Sequence, residues 1–177
     1  MDIRIEKTER AIKNAFIELR AKKPLEKMTV TELCRLACIN KSTFYAHYED
    51  IYALSDALEE ALVQAVLSGI SWDEMDTPEN MDVFTKALCM AFLSNISLIR
   101  ILFSGKEQGR LGNRLEEGIK EQIYQKYPKY RDDAEKSILF SYLIQGAYHA
   151  YLNNQDADTQ TLVRVLAEVA GAIKTLY

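Results

Sequence analysis

Residues 29–48 read TVTELCRLACINKSTFYAHY, and this run decides the fold. Thr29, with Glu32 three residues later, has the spacing of a capping box, which predicts a short helix over VTELCRLA. A break follows at Cys38-Ile39, where Cys38 occupies a spot at which a tight turn prefers glycine. Asn40 is a good N-cap for another helix of only two turns, KSTFYAHY. Val30, Leu33, Ala37, Ile39, Phe44 and Tyr48 are spaced to share one small core with Phe16 and Leu19 of the preceding segment. Lys41, Ser42, Thr43, Tyr45 and His47 then point away from that core. These side-chain types reach base edges and phosphate oxygens. Two short helices joined by a three- or four-residue break, behind a longer packing helix, make a helix-turn-helix. Backbone amides opening the two helices, at Thr29–Val30 and Lys41–Ser42, are expected to add anion sites without net positive charge.

Working outward, nearly every segment has helical periodicity. Residues 5–23 place Ala11, Ile12, Ala15, Phe16 and Leu19 on one face, with Lys7, Arg10, Lys13 and Arg20 on the other. Pro24 ends that helix. Asp50 is a cap for a long helix to about Leu67, and residues 68–80 (SGISWDEMDTPEN) are the expected loop and boundary. Further helices are predicted over 81–93, 111–127, 132–153 and 157–176, the last ending at Leu176, with a short apolar helix or turn over 97–103. No repeat and no strand alternation is present. The expectation is an all-α protein of about nine helices, with residues 1–50 as the helix-turn-helix domain and 51–177 as a second domain.

Composition agrees. The 177 residues include 7 Gly and 3 Pro, few for a fold with many tight turns. Neither a leader-like start nor an apolar run of about 18 residues is seen, so a cytoplasmic protein without membrane contact is expected. The net charge of −4 argues against unspecific nucleic-acid binding by the whole surface. It is unevenly spread: residues 1–50 carry +2 and residues 51–177 carry −6. Cys34, Cys38 and Cys89 are an odd count that suggests no disulfide framework, and no second pair completes a zinc site. No cofactor motif is found. An enzyme would need paired Glu-x-x-His motifs or a nucleophile beside its base, and neither stands in the sequence.

The run from Thr29 to Tyr48, with Leu54 following, resembles the tetracycline-repressor (TetR/AcrR) family of bacterial transcriptional regulators, whose usual form is close to T-V-x-x-I-A-x-x-A-G-V-S-x-G-T-F/L-Y-x-H-F. The resemblance covers roughly residues 8–55, and INKSTFYAHY is most similar to the subgroup common in low-GC Gram-positive bacteria. It implies a DNA-binding set of Thr29, Thr31, Asn40, Lys41, Ser42, Thr43, Tyr45, His47 and Tyr48. Phe44 and Tyr48 are also given core roles. Three departures stand out. Cys38 replaces the turn glycine, which predicts a positive φ with a strain of about 1 kcal/mol. Ser42 replaces a common glycine, and Ile51 stands where the family often has a phosphate-binding lysine.

The implied function is a ligand-responsive repressor that binds a palindromic operator in double-stranded DNA as a homodimer. The helices at 132–153 and 157–176, with small Gly146, Ala147, Ala150, Ala167, Ala170 and Gly171, are expected to form the dimer interface. Met90, Phe103, Tyr142, Gln145, Tyr148 and His149 are the expected ligand-binding residues for an unidentified small-molecule effector. The alternative is a similar regulator acting mainly through a protein partner, with weak or no DNA binding; Ile51 and the modest charge of residues 1–50 motivate it.

Overall fold

A computed structural model describes residues 3–72 and 81–173. Among these residues the regular structure is all helical, in nine α-helices. They are α1 (Ile3–Arg20), α2 (Val30–Leu36), α3 (Lys41–Tyr45), α4 (Ile51–Ser68), α5 (Met81–Ser94), α6 (Ile96–Leu102), α7 (Gln108–Lys126), α8 (Ala134–Asn153) and α9 (Thr159–Ile173). Most of the expected loop, residues 73–80, and the expected end of the last helix at Leu176 lie outside the described residues.

The caps follow the sequence closely. Thr29 Oγ1 accepts from the Glu32 amide at 3.3 Å and donates to the Glu32 carboxylate at 2.8 Å. Lys23 clamps the same carboxylate with two contacts of 2.7 Å, tying the segment after α1 to α2. Asp50 Oδ1 accepts from the amides of Tyr52 and Ala53, both at 2.8 Å, and opens α4. Asp133 does the same for α8 through the Lys136 amide.

Two compact units emerge. The first comprises residues up to Leu62 together with Ser97–Gln108, and the second comprises Val63–Ile96 and everything from Gly109 onward. The chain therefore leaves the second unit after Ile96, adds α6 to the first, and returns at Gly109.

In the first unit Ile12, Phe16, Leu33, Phe44 and Leu54 are fully buried and join α1, α2, α3 and α4 in one core. Leu25 and Met28, in the stretch after Pro24, complete it. Arg20 differs from expectation. It is not on the charged outer face but 6% exposed, its Nη2 donating to the carbonyls of Ser104 at 3.1 Å and Leu102 at 3.4 Å. These carbonyls lie at and just beyond the end of α6, where a helix leaves acceptors unsatisfied and cations are favoured.

In the second unit, α7 buries Leu111, Leu115, Ile119 and Ile123 at successive fours. Gly112 lets α8 come close, since a Cβ there would meet Tyr148 Cδ1 at 2.8 Å and Gln145 Oε1 at 2.9 Å. Beside it a polar cluster joins the same helices. Glu116 accepts from Lys120 at 2.8 Å, Ser141 at 2.6 Å and Gln145 at 2.8 Å. Burial raises the carboxyl's pKa, but these donors outweigh it and hold the value at about 2.

Candidate nucleic-acid interface and apolar cavity

The link between α2 and α3 is built by backbone bonds. The Ile39 amide donates to the Cys34 carbonyl at 3.0 Å and the Cys38 amide to the Arg35 carbonyl at 3.4 Å. This paired closure is the Schellman arrangement, which puts its exit residue in the left-handed region. That residue is Cys38, with φ of 54°, the sole non-glycine residue at positive φ among the described residues. The expected positive φ at this position is therefore present. The Cys38 side chain is exposed, whereas Cys34 is buried against the turn and its pKa is raised by burial.

Asn40 organises the start of α3. Its Oδ1 receives the Thr43 amide at 2.7 Å, the Ser42 hydroxyl at 2.7 Å and the Thr43 hydroxyl at 2.8 Å. Both hydroxyls of the exposed face thus turn inward to the cap, and Lys41 and Tyr45 are left to project. Tyr45 is 54% exposed and rests edge-on against the buried Phe44 ring at 5.5 Å. Thr29, Thr31, Asn40, Lys41 and Ser42 are exposed; Thr43 and His47 are half-buried. The fold brings these residues onto one unit, as the spacing predicts.

Tyr48 departs from that outward row. It is half-buried, and its ring lies 6.0 Å from Phe44. Burial raises its pKa against the opposing charge of Lys13. Glu9 in turn pairs with Lys13 at 2.6 Å, and that bond lowers its own pKa. Tyr48 thus packs beside Phe44, in keeping with the core role read for it. Ile51 is buried at 6% exposure, so the position of the family's lysine is turned into the core.

The second unit contains two neighbouring apolar cavities of about 60 Å³ each. Leu88, Cys89, Ile119, Ile144 and Ala147 line both. The first extends to Phe92, Tyr151 and Leu162, and the second to Phe84, Ile123, Tyr130 and Phe140. Among the described residues, neither wall carries a charged side chain.

Of the six residues expected to bind a ligand, Tyr148 alone lines either cavity. Met90 and Tyr142 are 58% and 67% exposed, and His149 is exposed. Gln145 is held by Glu116 and Asn113, and Phe103 is buried in the first unit. The reason is physical: α5 and α8 are apolar on several sides, so composition could not choose the inward face. Tyr151, which the sequence reading missed, carried a usable signal in its position three residues after Tyr148. Among the described residues no three His, Cys, Asp or Glu side chains gather as a metal site would need, and no single helix is long and apolar enough to cross a membrane.

The sequence matches no model of a known protein family and no curated protein. Among solved structures, its fold is similar to a crystal structure from Aquifex aeolicus VF5 described as a transcriptional regulator (TerR/AcrR family). The match covers 96% of this chain and 99% of that one, with a TM-score of 0.61 and 17% identity. Likeness at that identity is a likeness of fold: this chain shares the all-α fold of that structure.

Proposed function

We propose that the protein is a DNA-binding transcriptional regulator, not an enzyme, that represses transcription by binding a palindromic operator as a homodimer in the cytoplasm. The observation that carries this reading is the α2-turn-α3 unit, with Lys41 and Tyr45 projecting beside the hydroxyls of Ser42 and Thr43. Thr29, Thr31, Asn40 and His47 complete the proposed DNA face. Lys41 supplies a guanine or phosphate contact, and Tyr45 a thymine-methyl or phosphate contact. The INKSTFYAHY wording supports the low-GC Gram-positive subgroup.

A dimer is supported by apolar side chains left at the surface of the last two helices. Ile138 and Tyr142 on α8 are 69% and 67% exposed, and Val165 and Val169 on α9 are 43% and 49% exposed. A second copy of the same surface would bury them in a two-fold, self-complementary contact. The cavities support an effector. A small molecule that binds one arrangement of the second unit more tightly shifts the protein toward it, and α4 runs from the first unit into the second without a break.

The test is DNA binding by the purified chain to the region flanking its own gene. Saturable, sequence-selective binding that weakens steeply with salt is expected. Its absence would remove the reading. The second reading, action through a protein partner, is favoured by one observation: buried Ile51 provides no cation where the family has one. Replacing Lys41 and Tyr45 with Ala separates the two, because regulation through a partner alone survives both changes.

A further inference from the structure

The hydroxyl groups of α3 have their hydrogens committed within the protein itself. Asn40 Oδ1 receives the Thr43 amide at 2.7 Å. An amide N–H donates only to an acceptor, so the atom it meets is the side-chain oxygen of Asn40 and not its nitrogen. The same oxygen stands 2.7 Å from the Ser42 hydroxyl and 2.8 Å from the Thr43 hydroxyl. A carbonyl oxygen cannot donate, so both hydroxyls donate to it. The cap is itself held in place. Its backbone carbonyl accepts from the Phe44 amide at 3.2 Å and from the buried Cys34 thiol at 3.8 Å.

A hydroxyl carries one hydrogen and two lone pairs. With the hydrogen spent on Asn40, the exposed Ser42 offers only lone pairs to a partner. Phosphate oxygens are acceptors, and so are guanine O6 and N7, adenine N7 and thymine O4. None of them can donate to such a group. The hydrogen-bond donors of the major groove are the exocyclic amino groups of adenine and cytosine. Ser42 is the second residue of α3, and the N-terminal residues of a recognition helix are those that meet base edges. Thr43 shares the arrangement but is half-buried, which leaves Ser42 as the residue able to use it.

We propose that Ser42 is a specificity residue that accepts a hydrogen bond from an exocyclic amino group, N6 of adenine or N4 of cytosine. Asn40 is the positioning residue that sets this polarity by holding the hydroxyl hydrogen. The inference rests on the reading of α2-turn-α3 as a DNA-binding unit and names the base chemistry that unit selects.

The full chain is titrated, by fluorescence anisotropy, with labelled DNA from the region flanking its own gene, narrowed by footprinting to the protected bases. Each protected adenine is replaced singly by purine and each cytosine by 2-pyrimidinone, analogues that lack only the amino group. At one position this removal should weaken binding by the parent about five- to tenfold, the loss of one hydrogen bond. The analogue that does so tells adenine from cytosine. Ser42→Ala should weaken binding to the unmodified DNA by the same factor and be indifferent to the amino group at that position.

Asn40→Ala frees the hydroxyl to turn either way. Its preference there for an amino-bearing base over thymine or guanine should fall from about tenfold to below about twofold, and the lost cap should lower its melting temperature. Asn40→Asp keeps an acceptor at the cap. Its added charge should weaken binding to all sequences alike while the preference survives. The proposal is overturned if Ser42→Ala weakens every sequence equally, as loss of a phosphate contact does, or if Asn40→Ala keeps the parent's preference or Asn40→Asp loses it. A chain that binds no DNA site saturably overturns the regulator reading together with this one. Saturable, sequence-selective binding that ignores every amino removal overturns this one alone.

Discussion

The turn around Asn40 and the cavity around Tyr151 treat their polar groups in opposite ways. At the turn, one side-chain oxygen gathers an amide and two hydroxyls, and the backbone closes its own bonds across Cys38. In the cavity, a hydroxyl is buried without a partner among apolar walls that leave space. The first region is complete as a free protein and needs only to be held rigid. The second leaves one of its own polar groups unsatisfied, at a cost in free energy.

The contrast can be broken from either side. The largest effect is expected from Phe44→Ala, which empties the fully buried centre of the first unit. It should cost about 3–5 kcal/mol, seen as a collapse of the first unit's melting transition together with its DNA binding. Next is Glu116→Gln in the second unit. The folded carboxyl titrates at about 2 against an ordinary value of 4.5, so its stabilising contribution is complete above the ordinary value and is lost as pH falls through about 2. Melting at neutral pH should show the variant less stable by about 2–3 kcal/mol, a gap that closes between about pH 5 and pH 2.

Lys41→Ala should weaken operator binding by about tenfold and reduce the salt slope by about one, with melting unchanged, because the side chain is exposed. The smallest effect sharpens the account of the turn. Cys38→Gly removes the penalty of a side chain at φ 54° and should stabilise the protein by about 1 kcal/mol, a rise of a few degrees in melting temperature. A neutral result would mean that the turn relaxes around Cys38.

The first unit was legible because its rules are local. Thr29, Asn40 and Asp50 cap helices that begin where these residues stand, and Cys38 adopts the glycine conformation its place in the turn requires. Arg20 was misplaced by its chemical class, although it stands four residues after Phe16 and eight after Ile12, on the buried stripe. Periodicity had put it inside and charge outvoted periodicity. The cavity was not legible because α5 and α8 offer apolar residues on several faces, and the choice between inward Tyr148 and outward Tyr142 is made by neighbours distant in sequence, such as Phe92. Nor does any local signal announce that residues 97–108 pack with the beginning of the chain.

That excursion limits how such a protein can be recombined. A chimera that joins this helix-turn-helix to a foreign partner at residue 62 would leave Ser97–Gln108 behind, and with it the carbonyls of Leu102 and Ser104. The buried guanidinium of Arg20 would then face solvent or a void. The unit that resembles an exchangeable module is stitched into the remainder of the chain at three points, and a working graft has to carry α6 along with it.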